Sequence, residues 1–182
     1  MRIIAGQVGG RRLSSPKVEM RPTMDRVRGA IFSSLGDAVP GARILDLFAG
    51  SGAMGIEALS RGAGSVVFVD LNPVCTGCVN ANLRALNLEG SVQTIDAVKF
   101  LELYAAEGFD LIFADPPYAK NRESPDPARE LLEAPALAAA LRPTGTLVLE
   151  RRAGGISPTS PDLALLRSRR YGKSAVDFYT LP

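Results

Sequence analysis

The sequence predicts an α/β fold: a mostly parallel sheet covered by helices on both faces. Three observations carry that expectation. From Ala42 onward, short apolar runs alternate with helix-length segments. Three of these runs end in aspartate, at Asp70, Asp96 and Asp115, and Asp46 lies at the end of another. A glycine turn, Gly50-x-Gly52-x-x-Gly55, sits directly between the first run and the segment after it.

The elements follow in order. Ile3-Ile4-Ala5 and Arg11-Arg12-Leu13 flank Gly9-Gly10, the pattern of a small β-hairpin extension. Pro16 to Pro22 is an irregular connection. Thr23 is placed to cap a helix over Met24–Leu35, where Val27, Ala30, Ile31 and Leu35 fall at helical spacing. Gly36 to Gly41 ends it. Ala42–Leu47 reads as a strand, Gly52–Arg61 as a short helix and Ser65–Val69 as a second strand. Pro73 suits a first helical position and opens a helix to about Leu86. Val92–Ile95, Phe109–Ala114 and Gly145–Glu150 are the next strands, with helices over Val98–Ala106 and over Asp126–Leu141 around Pro135. Arg169–Tyr171 and Ala175–Leu181 form a closing hairpin turned at Gly172-Lys173, which completes seven strands. The expected organisation is a basic hairpin-and-helix extension over residues 1–40 and a sheet domain over residues 41–182.

Composition excludes several chemistries. The chain has 182 residues and no histidine, so Ser-His, Cys-His and His-metal sites are out of reach. Cys75 and Cys78 form a C-x-x-C, but no second pair or histidine completes a four-ligand zinc site. No metal is expected, and the cysteines are assigned to packing. No apolar run approaches the roughly 18 residues that span a membrane, and the opening residues lack a signal-peptide pattern. A soluble, cytoplasmic monomer is the expectation. The net charge of +2 is unevenly spread: residues 1–28 carry +5, residues 151–182 carry +4 and the middle carries −7. Basic ends around an acidic centre point to a polyanion gripped at the ends.

In an open α/β sheet, ligands bind at the carboxyl ends of the strands. The glycine turn lets a ligand approach the backbone closely, and a helix start presents free N–H groups. Asp70, eighteen residues past Gly52 at the end of the next strand, suits the ribose hydroxyls of a nucleoside cofactor. Asp46 discriminates between cofactors. A carboxylate before the glycines repels a pyrophosphate but pairs with an ammonium, which favours S-adenosylmethionine over a dinucleotide. Asp96 is placed to accept from the adenine amino group.

Asp115-Pro116-Pro117-Tyr118 follows the fourth strand. The prolines fix the backbone and remove two N–H donors, so the local carbonyls act as acceptors. Asp115 and the Pro116 carbonyl can hold the two hydrogens of an amino group, while Tyr118 offers a ring face to a base. Methyl transfer from a sulfonium needs alignment and desolvation rather than a metal or covalent nucleophile.

The glycine turn and Asp115–Tyr118, in this order, resemble the class I, Rossmann-like amino-group methyltransferases of nucleic acids. Arg2-Ile3-Ile4-Ala5-Gly6, Gly10-Arg11-Arg12-Leu13 and Arg21-Pro22-Thr23-x-Asp25-Arg26-Val27-Arg28 narrow the resemblance to the RsmD family, which methylates guanine N2 in 16S ribosomal RNA. Glu57–Ala63 and Arg170-Tyr171-Gly172 match as well. The resemblance implies cofactor contacts at Asp46, Phe48, Ala49, Gly50, Ser51, Gly52, Asp70, Leu71, Asp96 and Ala97, and catalysis at Asp115, Pro116, Pro117 and Tyr118. It implies an RNA grip by Arg2, Arg11, Arg12, Arg21, Arg26 and Arg28, and the small ribosomal subunit or its RNA as partner. Gly29 departs from the acid expected in the arginine-rich helix and costs about 1 kcal/mol there relative to alanine. An adenine-N6 methyltransferase uses the same tetrapeptide, and a non-catalytic RNA-binding assembly factor could keep the same fold.

Overall fold

The computed structural model describes residues 1–18, 25–118 and 126–182. Thr23, assigned above as a helix cap, lies outside the described residues. The elements are α1 (Asp25–Leu35), β1 (Arg43–Leu47), α2 (Ala53–Ser60), β2 (Ser65–Asp70), α3 (Pro73–Leu86), β3 (Ser91–Thr94), α4 (Ala97–Tyr104), β4 (Phe109–Ala114), α5 (Pro127–Glu133), α6 (Pro135–Ala139), β5 (Leu141–Arg152), β6 (Ala164–Tyr171) and β7 (Ser174–Thr180). They form one seven-stranded sheet in the order β3-β2-β1-β4-β5-β7-β6. The first five strands in that order are parallel; β7 runs antiparallel to both β5 and β6. This is a Rossmann-like α/β arrangement closed by an antiparallel hairpin.

Side chains alternate across a strand, so each central strand feeds two cores. Ile44, Leu111, Phe113 and Val148 pack with α1, α2 and α3, whereas Leu45, Ile112, Leu147 and Leu149 pack with α4, α5 and α6. Both faces of β1 and β4 are buried, which explains their continuous apolar runs. The same alternation puts Asp46, Asp115 and Glu150 on the α1/α2 side, at strand ends.

Three differences from the sequence expectation have local causes. The helix expected over 126–141 is two helices, because Pro135 drives Ala134 into an extended conformation (φ −76°, ψ 114°). Strand β5 starts at Leu141 rather than Gly145, with a register shift against β4 between Phe109 and Leu111. Strand β6 is longer than its apolar content suggested, since as the sheet edge it needs only one neighbour. Helix α1 runs unbroken through Gly29.

The N-terminal segment makes one antiparallel bridge, Arg2 to Arg12, rather than a full ladder. Its anchor is the buried Glu57 carboxylate on α2, which accepts the N–H groups of Ile4 (2.7 Å) and Ala5 (3.1 Å). Gly6, at φ +86°, lies so close to α2 that a Cβ there would sit 1.8 Å from the Ser60 carbonyl oxygen. Ile3 and Leu13 join Val27, Ile31 and Ile44 in one core, so the boundary placed between residues 40 and 41 crosses continuous packing.

Candidate active site

The β1–α2 turn is tightly wound. Phe48 has φ +59°, a left-handed conformation uncommon for a bulky residue and characteristic of functional turns. Gly52, at φ +78°, is the N-cap of α2 and offers no side chain to cap it. Asp46 supplies what is missing. Its Oδ2 reaches forward nine residues to accept the Gly55 N–H at 2.9 Å. Asp70 holds the other side of the turn, with Oδ2 accepting from Gly50 N–H and Oδ1 from Asn72 N–H, both at 2.8 Å. Asp96 caps α4 by accepting the Lys99 N–H at 3.0 Å.

These strand ends enclose a cavity of about 660 Å³. Of the expected cofactor contacts, Phe48, Gly50, Asp70, Leu71, Asp96 and Ala97 line it. Asp46, Ala49, Ser51 and Gly52 do not; they are buried behind the turn. Asp46 is therefore first a helix cap. Burial pushes its carboxyl up to about 8; the Gly55 N–H opposes this shift, while Asp115 and Asp70 add to it. Asp70, Asp96, Asp115, Glu130 and Glu150 line the cavity, and no lysine or arginine does among the described residues.

Pro116, Pro117 and Tyr118 are shared with an adjoining cavity of about 250 Å³, whose lining also includes Arg151 and Arg152. Pro116, Pro117 and Tyr118 thus form a partition: an acidic chamber on one side, and on the other a smaller pocket whose lining includes Glu150, Arg151 and Arg152. Pro116 is buried, Pro117 exposed and Tyr118 half-buried.

The arginines divide. Arg2, Arg11, Arg12 and Arg26 are exposed, and Arg11 donates to the Ala85 carbonyl at 3.2 Å. Arg21 lies outside the described residues. Arg28 corrects the expectation of an RNA contact. It is wholly buried, donates to the Arg2 carbonyl and to Asp25 Oδ1 (3.0 Å), and faces Glu57. A side chain enclosed in this way has no face left for a phosphate.

Four further residues matter here. Glu150, at the end of β5, lines both cavities. Asn82, expected on a helix surface or cap, is buried and ties the turn to the N-terminal segment. It donates to the Ser51 and Ser14 carbonyls and accepts the Ser14 N–H. Glu57, the one acid of α2, is wholly buried. Cys75, assigned to packing, lines the larger cavity, and burial pushes its thiol up to about 11 with Asp70 adding to the shift. A charged or amide side chain within an otherwise apolar helical face was the available signal for Glu57 and Asn82. No metal-binding cluster of acids and cysteines occurs among the described residues.

A family model described as "Conserved hypothetical protein 95" matches residues 1–180. The chain is 37% identical over 185 residues to "Putative rRNA methyltransferase YlbH" of Bacillus subtilis (strain 168), covering 98% of each. It is 38% identical over 125 residues to ribosomal RNA small subunit methyltransferase D of Escherichia coli (strain K12), covering 66% of this chain and 62% of that one. Among solved structures, a hypothetical protein from Thermus thermophilus superposes with a TM-score of 0.84 at 30% identity, covering 100% of this chain and 99% of that one. A match along nearly the whole length, on a site with this partition and this acidic chamber, establishes that the chain belongs to the RsmD family.

Proposed function

We propose that this protein transfers the methyl group of S-adenosylmethionine to the exocyclic N2 amino group of a guanine in 16S ribosomal RNA. Membership of the RsmD family supports a ribosomal RNA substrate, since relatives bear that activity in their names. The observation that carries the cofactor choice is the wall of the larger cavity. Its carboxylates and its lack of described cations oppose a dinucleotide pyrophosphate and favour a nucleoside that carries an ammonium and a sulfonium.

When bound, S-adenosylmethionine supplies an electrophilic methyl group with a neutral thioether leaving group. The chain's part is positioning. Asp70 keeps free lone pairs for ribose hydroxyls while holding the turn, and Asp96 does the same for the adenine amino group while capping α4. At the partition, the Asp115 carboxylate and the Pro116 carbonyl accept the two hydrogens of the target amino group, leaving its lone pair directed at the chamber. Tyr118 stacks on the base in the smaller pocket. As the nitrogen–carbon bond forms and the sulfur–carbon bond breaks, Asp115 is the adjacent acceptor for the proton that the nitrogen gives up. Loss of the methyl group would leave S-adenosylhomocysteine in the chamber lined by Asp70 and Asp96. Arg152 beside the smaller pocket, with Arg2, Arg11, Arg12 and Arg26 beyond, suits the flanking phosphates.

The test is transfer of labelled methyl to small ribosomal subunits, total RNA and DNA from cells lacking the enzyme, followed by nucleoside mass spectrometry. N2-methylguanosine from the ribosomal substrate is the expected product. N6-methyladenosine would replace the guanine assignment with adenine N6, and RNA binding without transfer would favour the assembly-factor reading.

A further inference from the structure

Glu150 is a buried acid that the mechanism above leaves unused. It is 7% exposed and lies near the end of β5, opposite Val176 of β7. Its side chain makes no hydrogen bond or ion pair among the described residues. Its neighbour Arg151 is already engaged, with Nε 2.5 Å from Asp177 Oδ2. Its carboxylate opens onto the cavities rather than into the core, so a ligand that enters and displaces the solvent there must supply a donor in its place.

Its position shows what that is. Ala114 on β4 is in register with Leu149 on β5, so Asp115, just past β4, and Glu150, the next residue of β5, lie side by side on the same face. Both line the acidic chamber, and Glu150 also lines the smaller pocket behind Pro116, Pro117 and Tyr118. A base whose amino group rests on Asp115 can present the adjacent ring position to Glu150. In guanine, the ring nitrogen beside the N2 amino group carries a hydrogen. In adenine, the ring nitrogen beside the N6 amino group carries a lone pair. An ionised carboxylate can only accept.

We infer that Glu150 is the specificity residue of the site, accepting the N1–H of guanine and rejecting adenine by lone-pair repulsion. This rests on the proposed transfer to guanine N2 and adds to it the reason that guanine, among amino-bearing bases, is the one accepted. A site built to pair a polar hydrogen discriminates strongly against an analogue lacking it, because both acceptors are then left facing each other.

The experiment first maps the guanine methylated by the wild-type protein in small subunits, then compares RNA carrying guanine, 2-aminopurine or adenine at that position. 2-Aminopurine keeps the N2 amino group but has a bare N1. Wild type is expected to methylate 2-aminopurine at least tenfold more slowly than guanine, with no methylation of adenine. Glu150→Gln, whose amide can donate as well as accept, is expected to lose at least tenfold on guanine. It should also bring guanine and 2-aminopurine within about threefold of each other. Its turnover of 2-aminopurine and an unchanged unfolding temperature report an intact fold. Equal wild-type rates on guanine and 2-aminopurine would overturn the role of Glu150 while leaving guanine N2 as the target. So would a guanine-to-2-aminopurine ratio that Glu150→Gln does not move. N6-methyladenosine as the wild-type product would overturn both.

Discussion

Arg28 and Glu57 are both wholly buried and face each other between α1 and α2, with Arg28 Nε 3.6 Å from Glu57 Oε2. Glu57 also takes Arg61 Nε at 2.7 Å and the two N-terminal amides. One carboxylate thus joins α1, α2 and residues 1–5. Removing half of such a pair strands the other charge. Glu57→Gln is expected to cost about 3 kcal/mol in chemical denaturation. Gly6→Ala should destabilise the same junction by collision with Ser60. A Glu57→Gln variant as stable as wild type would show that the network contributes nothing net.

Arg12 and Arg28 should separate cleanly in RNA binding. Arg12 is exposed, whereas Arg28 belongs to the interior. Arg12→Ala is expected to weaken RNA binding and to lower the slope of log affinity against log salt by about 1, measured by filter binding. Arg28→Ala is expected to lower the unfolding temperature instead. An unchanged salt slope in Arg12→Ala would remove the N-terminal segment from the RNA interface.

Asp115 should matter to turnover and not to cofactor retention. Asp115→Ala is expected to bind S-adenosylhomocysteine within a few-fold of wild type by calorimetry, while losing on the order of 100-fold or more in turnover. Full activity in that variant would take the carboxylate out of the mechanism.

Asp46 gives the fold a pH dependence of known sign. Its carboxyl is raised from 3.8 to about 8, so the folded state holds a proton that the unfolded chain releases at much lower pH. The stability tied to that proton is complete below about pH 4 and is lost as pH rises towards 8, at up to about 1.4 kcal/mol per pH unit. Asp46→Asn keeps an oxygen for the Gly55 N–H and does not titrate. Its unfolding temperature should change less between pH 6 and pH 9 than that of wild type. Parallel profiles would place the titration elsewhere.

Much of this was legible in the sequence because the relevant signals are local. Apolar alternation and the Asp-terminated runs mark β1, β2 and β4, and Pro73 marks the start of α3. The tetrapeptide and the glycine turn announce themselves as short motifs. What escaped depends on contacts between distant residues. Arg28 reads as one more surface cation until Glu57, 29 positions later, is brought beside it. Glu150 is the last residue of an apolar run until the β4–β5 register sets it next to Asp115. Asp46 reads as a ligand for an ammonium until the turn folds back and Gly55 takes its oxygen. The left-handed Phe48 leaves no trace in composition at all.

Strand β7 comes last in the described order yet lies inside the sheet, between β5 and β6, with Ser174 to Tyr179 all buried. Until β7 inserts, β5 keeps an unsatisfied edge and β6 has no strand in the sheet to pair with. Open edges of this kind invite pairing with other chains. Strands β6 and β7 are separated by two residues, so they are expected to dock as one hairpin, and the β5 edge stays open to other chains until that hairpin is in place. A stalled or prematurely ended chain would be a substrate for chaperones rather than a smaller working enzyme.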